Sequence, residues 1–172
     1  MRPYTFALRN ARNTSMALII RSSAIHAAGC YTTTGIRKGA RVAEYTGPRI
    51  PKDQADADYK DAPITHLFGL GDGAIVIEGH SMAMFINHSC DPNCETEEID
   101  GRVWINAIRH IPAGAEITYD YCLYDGGADE AICNCGARGC RGTMYSPDEV
   151  RRRKHAAKTA NPAARNGRRT RA

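Results

Sequence analysis

A chain of 172 residues, 42% of them apolar, is long enough for one domain with its own core, and its seven cysteines leave one thiol over in any fully disulfide-bonded framework. No stretch approaches the roughly 18 apolar residues of a membrane span, and the run Met16 to Ile20 is too short for a secretion-signal core, so the expectation is an intracellular chain with no membrane contact. The net charge of +4 hides a division: all 19 acidic residues lie at or before Glu149, so residues 1–150 carry 14 basic against 19 acidic groups (−5), and nine Lys or Arg follow without an acid.

In chain order, residues 1–15 read as a flexible lead-in. Ala17 to Arg21 and Ala27 to Thr34 are apolar runs of strand length, with Gly29 where a side chain would obstruct a neighbour. Gly35 to Ala40 reads as a turn, and Arg41 to Ile50 as a strand that stops at Gly47-Pro48. Pro51 to Tyr59 begins with a residue suited to the first helical turn and predicts a short helix. His66 to Leu70 and Ala74 to Glu78 flank Gly71-Asp72-Gly73, a hairpin signal. Ser81 to Ile86 predicts a short helix; Val103 to Ile111 and Ala115 to Cys122 predict strands joined by Pro112-Ala113-Gly114. Short strands and tight turns point to a compact, mostly β domain. Arg151 to Ala172 has almost nothing to bury and reads as disordered, with a helix from Ser146 through Lys158 as the alternative.

Three stretches carry chemistry. Asn87-His88-Ser89-Cys90-Asp91-Pro92-Asn93 sets an amide, an imidazole and a thiol directly after the apolar residues Met82 to Ile86. Glu116-Ile117-Thr118-Tyr119-Asp120-Tyr121 places two phenols on one side of a strand. Cys133, Cys135 and Cys140 fall within eight residues, too close for easy disulfide geometry but suited to tetrahedral zinc, which needs a fourth ligand. Cys90, Cys94, Cys122 and Cys30 are the candidates for it.

Taken together, these motifs resemble a SET domain followed by a post-SET zinc clip, the family of S-adenosylmethionine-dependent protein-lysine methyltransferases, over about Ala17 to Met144. The segment Cys90 to Glu97 and the clip are similar to those of trithorax-like histone methyltransferases, and the short chain resembles stand-alone SET proteins. The resemblance implies a SET domain over 16–124, a post-SET segment over 125–145 and a basic, disordered tail over 146–172. It implies several small curved β-sheets with a carboxy-terminal pseudoknot. Zinc is then held by Cys90, Cys133, Cys135 and Cys140, with Cys94 as the fallback ligand.

The resemblance also assigns Tyr121 as the catalytic tyrosine, Tyr45 as a channel wall, and Tyr119 as the position where tyrosine restricts the product to mono- or dimethylation. S-adenosylmethionine would be held by His26, Ala28, Gly29, Tyr31, His66, Asn87, His88 and Asn134. Ala27 replaces the first glycine of a Gly-x-Gly loop, His66 a common tyrosine, and Met84 a common arginine. The implied substrate is a histone tail or other basic protein, and the basic tail is a candidate contact for nucleic acid or an acidic partner. The implied location is the cytoplasm of a bacterium, or the nucleus or chromatin of a eukaryote or host. A competing expectation is a degenerate SET fold, serving as a zinc-stabilised protein- or nucleic-acid-binding module.

Overall fold

The structure, a computed structural model, describes residues 18–62, 64–126 and 131–160. Strands β1 (Leu18–Ser22) and β2 (Ala28–Thr32) form an antiparallel pair, with Leu18 opposite Thr32. Strand β3 (Arg41–Tyr45) follows, then β4 (Arg49–Pro51), helix α1 (Lys52–Asp58), and the hairpin of β5 (Leu67–Leu70) and β6 (Ile75–Glu78). A 3-10 turn (Met82–Phe85) leads into β7 (Asn87–His88); β8 (Cys94–Ile99), β9 (Arg102–Ala107), β10 (Thr118–Tyr119) and helix α2 (Pro147–Ala160) complete the described elements. The strands make four small sheets among the described residues: β1–β2, β3–β9–β8, β4–β6–β5 and the parallel pair β10–β7. This mostly β architecture is the expected class.

The core lies under β9, where alternation buries Val103, Ile105 and Ala107 and turns Arg102, Trp104 and Asn106 outward. Ile36, Ile86, Ile111 and Ile117 close over it and are essentially inaccessible. Such β-branched side chains suit a pleated, half-buried surface.

The structure differs from the sequence expectation in five places. The single strand over Arg41 to Ile50 is two strands in different sheets. At the break, a Cβ on Gly47 would lie 1.6 Å from the carbonyl oxygen of Glu78, so only glycine lets the chains pass. The expected strand over Val103 to Ile111 ends at Ala107, and Ile111 pairs singly with Ile36. Of Ala115 to Cys122 only Thr118–Tyr119 is a strand, because its partner is the two-residue β7 rather than β9. Strand β8 was not expected from Glu95-Thr96-Glu97-Glu98; its acids lie on a sheet edge, where charge is tolerated and discourages further pairing.

The disordered reading of the tail does not describe Pro147–Ala160, which is α-helical, close to the Ser146–Lys158 alternative. Ser146 Oγ accepts the backbone N–H of Glu149 at 3.1 Å, leaving Pro147 at the first helical position. The Glu149 carboxylate receives Arg152 and Arg153 within 2.7 Å, and those guanidiniums hold its acidity near 2. The guanidinium of Arg153 stacks on the Tyr145 ring at 3.8 Å, so ion pairs and one aromatic contact anchor a helix with little to bury. The lead-in over 1–15 and residues 161–172 lie outside the described residues.

Candidate active site and thiol cluster

The parallel β7–β10 pair sets Thr118 beside Asn87 and Tyr119 beside His88, and this registers the heptad against the Tyr-Asp-Tyr segment. Asn93 reinforces it, donating from Nδ2 to the Glu116 carbonyl at 2.7 Å and accepting the Thr118 N–H at 2.9 Å. The Tyr121 N–H donates to His88 Nδ1 at 3.1 Å, and the Tyr121 hydroxyl donates to the Ile86 carbonyl at 2.9 Å. Burial is the main reason His88 falls to about 4; Asp120 opposes this shift and Arg141 adds to it. A neutral ring whose Nδ1 accepts carries its proton on Nε2. That nitrogen lies 3.4 Å from Cys90 Sγ, an orientation that serves a thiolate as a hydrogen-bond donor.

Two cavities, of about 320 and about 270 Å³, meet here and share Thr65, His66, Met84 and Tyr121 as walls. The larger is lined by His26, Ala27, Ala28, Asn87, His88 and Asn134, with apolar surface from Phe85, Ile132 and Met144. Gly29 and Tyr31 do not line it: a Cβ on Gly29 would lie 2.2 Å from Glu116 Oε1, and the Tyr31 hydroxyl donates to Glu116 Oε2 at 2.9 Å. Both serve the support of the site.

The smaller cavity carries the aromatic wall. Tyr45 packs on Phe68 (centroids 5.3 Å), Phe68 on Tyr119 (6.3 Å), Tyr119 on Tyr121 (4.9 Å), and Tyr121 on His88 (5.4 Å, edge-on). Burial pushes the Tyr121 phenol up to about 12 and raises Tyr45 and Tyr119 as well; all three are neutral hydroxyls near pH 7.

Cys90 Sγ lies 3.7 Å from Cys133 Sγ, which lies 3.6 Å from Cys140 Sγ; the Cys90 N–H points to Cys135 Sγ at 3.4 Å. Zinc–sulfur bonds of about 2.3 Å in a tetrahedron imply sulfur separations of about 3.8 Å, close to the Cys90–Cys133 and Cys133–Cys140 separations. His88 Nε2, Cys90, Cys133 and Cys135 also fall within 4.8 Å of one another, which makes His88 a geometric rival of Cys140. Although burial opposes ionisation of Cys135, the N–H groups of Cys90 and Ala137 and the neighbouring thiols outweigh it and bring it to about 6. Burial raises Cys90 and Cys133. Cys94 does not belong to the cluster: it is fully buried opposite Ala107, where desolvation takes it to about 12.

The model of the SET domain matches residues 27–122. The chain belongs to the SET domain family. It is 35% identical over 127 residues (67% of this chain) to the mouse "Histone-lysine N-methyltransferase, H3 lysine-36 specific". It is 37% identical over 131 residues (69%) to "Histone-lysine N-methyltransferase trithorax" of Drosophila virilis. It is 34% identical over 139 residues (74%) to "Histone H3-lysine(4) N-trimethyltransferase ATX1" of Arabidopsis thaliana. The alignments span 5%, 3% and 13% of those much longer proteins.

Around this site, two supports escaped the sequence reading. The Glu116 carboxylate accepts from Ser23 Oγ, Tyr31 and Asn87, although only its place in a motif was noted. Arg141 links the thiol cluster to Asp120; its position beside the last cysteine of the clip was the available signal. Ala27, at the start of the match, has φ +32°, a left-handed conformation that favours glycine. Among the described residues no helix is long and apolar enough to cross a membrane.

Proposed function

We propose that this SET domain transfers a methyl group from S-adenosylmethionine to a lysine side chain in a histone tail or another basic protein, stopping at mono- or dimethylation. The observation that carries this reading is the meeting of the two cavities at Tyr121, one suited to a donor and the other walled by aromatic rings.

The residues around the larger cavity fit the donor: a mixed apolar and polar lining with a few placed hydrogen-bonding groups is how small molecules are held. His26, Ala28, His66, Asn87, His88 and Asn134 are the chain's contributions to that lining; Gly29 and Tyr31 would act from behind it. The donor, when bound, supplies a methyl group carried on a sulfonium. The chain's own part is alignment. Tyr45, Tyr119 and Tyr121 flank an aliphatic lysine stem with ring faces that tolerate positive charge, and their neutral hydroxyls aim a lysine nitrogen at the junction. Most of the gain then comes from orientation and fixed dipoles. The Tyr119 hydroxyl occupies room that a more methylated nitrogen would need, which supports the limit on methylation.

The thiol cluster is read as a zinc site of Cys90, Cys133, Cys135 and Cys140, with His88 bonded to a ligand rather than to the metal. Because Cys133 and Cys135 also line the donor cavity, the metal would hold the clip against it. The −5 charge of residues 1–150 supports a cationic substrate through long-range attraction. The lysines and arginines of α2 and of the following residues support an additional contact with nucleic acid or an acidic partner. The histone-methyltransferase names of the relatives support nuclear or chromatin residence in a eukaryote or host; in a bacterium the residence would be cytoplasmic.

Labelled donor, incubated with wild type or Tyr121→Phe and either core histones or a lysate, tests the reading. Label transferred by wild type and lost in the variant supports it, and mass-spectrometric mapping names the lysine. No donor binding by calorimetry would favour the binding-module reading, for which the strained Ala27 and the position of Met84 in the cavity wall speak.

A further inference from the structure

We propose that Glu116 is a positioning residue: it locks the Asn87 carboxamide so that the carbonyl oxygen, not the NH2 group, is the end presented to the donor cavity. This deepens the donor reading above and rests on it.

Asn87 lines the larger cavity and is 7% exposed. Its Nδ2 donates to Glu116 Oε1 at 2.8 Å and to the Ala28 carbonyl at 2.9 Å, with the His26 carbonyl at 3.5 Å. A carboxamide nitrogen has two hydrogens, and three acceptors already surround this one. Turning the amide over would set Oδ1 against the same carboxylate and carbonyl oxygens, none of which can donate. Among the described residues no group donates to Oδ1, which is left for the cavity.

The carboxylate is itself clamped. Ser23 Oγ donates to Oε1 at 2.8 Å and lies 3.0 Å from Oε2, while the Tyr31 hydroxyl donates to Oε2 at 2.9 Å. Gly29 explains why no other residue fits opposite: its absent Cβ would lie 2.2 Å from Oε1. The lock therefore joins the β1–β2 end of the cavity to β7 and holds one acceptor toward the ligand. Of the donors on S-adenosylmethionine (the ammonium, the adenine amino group and the ribose hydroxyls), only the ammonium is cationic, and an amide backed by the Glu116 carboxylate at 2.8 Å favours it.

The test uses S-adenosylhomocysteine, which binds without turnover, and its deaminated analogue, which lacks the ammonium. Calorimetry with the full chain compares wild type and Glu116→Gln. Gln can donate to Asn87 and release the amide. The expected result is a loss of about ten-fold for S-adenosylhomocysteine in Glu116→Gln, with the deaminated analogue within about two-fold of wild type. If thermal melting shows Glu116→Gln to be unfolded, Glu116→Asp, which withdraws the carboxylate from Asn87, takes its place with the same expectation. Equal weakening of both ligands would overturn the proposal by assigning Glu116 a merely structural role, and unchanged affinity would overturn it too. Wild type that binds both ligands alike would overturn the lock alone, whereas wild type that binds neither would overturn the donor reading.

Discussion

The guanidinium of Arg141 donates to the carboxylate of Asp120, with Nη2 2.8 Å from both Oδ1 and Oδ2, while the backbone N–H of Arg141 points to Cys90 Sγ at 3.4 Å. One residue thus connects the thiol cluster to the segment carrying Tyr119 and Tyr121. Arg141→Ala leaves a mostly buried carboxylate without its cation and should cost about 1–3 kcal/mol. The expected outcome is a lower melting temperature together with reduced turnover; a variant that melts lower but turns over normally would show that the link carries no functional coupling.

Tyr121→Phe removes the hydroxyl at the junction of the cavities but retains the ring stacked on Tyr119. Turnover should fall by at least about a hundred-fold, with donor affinity near wild type because the lining is otherwise intact. Steady-state kinetics and calorimetry on the same preparation check the two halves of this expectation.

Tyr119→Phe empties the space of one hydroxyl in the wall of the smaller cavity. The expected change is in product, from mono- and dimethyl-lysine toward trimethyl-lysine, read by mass spectrometry of a peptide substrate. An unchanged product distribution would remove Tyr119 as the limiting group.

The thiol cluster should hold one zinc ion per chain, measured by elemental analysis. Cobalt substitution should give the absorption of four thiolates; Cys140→Ser should lose it and His88→Asn should keep it. The reverse pattern would make His88 the fourth ligand. Chelation should lower the melting temperature, because metal binding is coupled to ordering of small clusters.

His88 has its folded value near 4, below the ordinary 6.5, chiefly through burial. A depressed value contributes stability that is complete above pH 6.5 and is lost as the pH falls toward 4. Melting temperatures across that window should decline in wild type, and His88→Asn should show a shallower decline. Equal slopes would mean that His88 titrates normally.

How far a residue was legible depended on how local its signal was. The hairpin around Gly71-Asp72-Gly73 was readable because turn residues act within a few positions, as was Pro51 at the start of α1. Strand β8 was missed although Asp100-Gly101, with φ of +50° and +68°, is a two-residue hairpin signal; Glu95-Thr96-Glu97-Glu98 carries no apolar alternation. Cys94, a cysteine available as the fallback ligand in the sequence, is in space a core residue on β8 opposite Ala107.

By itself, the sequence determined the family and the kinds of group at the site: amide, imidazole, phenols and a clustered set of thiols are chemical identities that survive without coordinates. Tertiary structure decided which of them meet. Ser23 and Glu116 are 93 positions apart and Asn87 and Glu116 are 29 apart, yet they form one hydrogen-bonded unit. Separations of that length leave no periodicity in the chain, since they depend on the two-residue parallel pairing of β7 with β10 and on the direction each side chain takes from it. That pairing sets Tyr121 between the two cavities, while the bridge of Tyr31 to Glu116 keeps Tyr31 outside them.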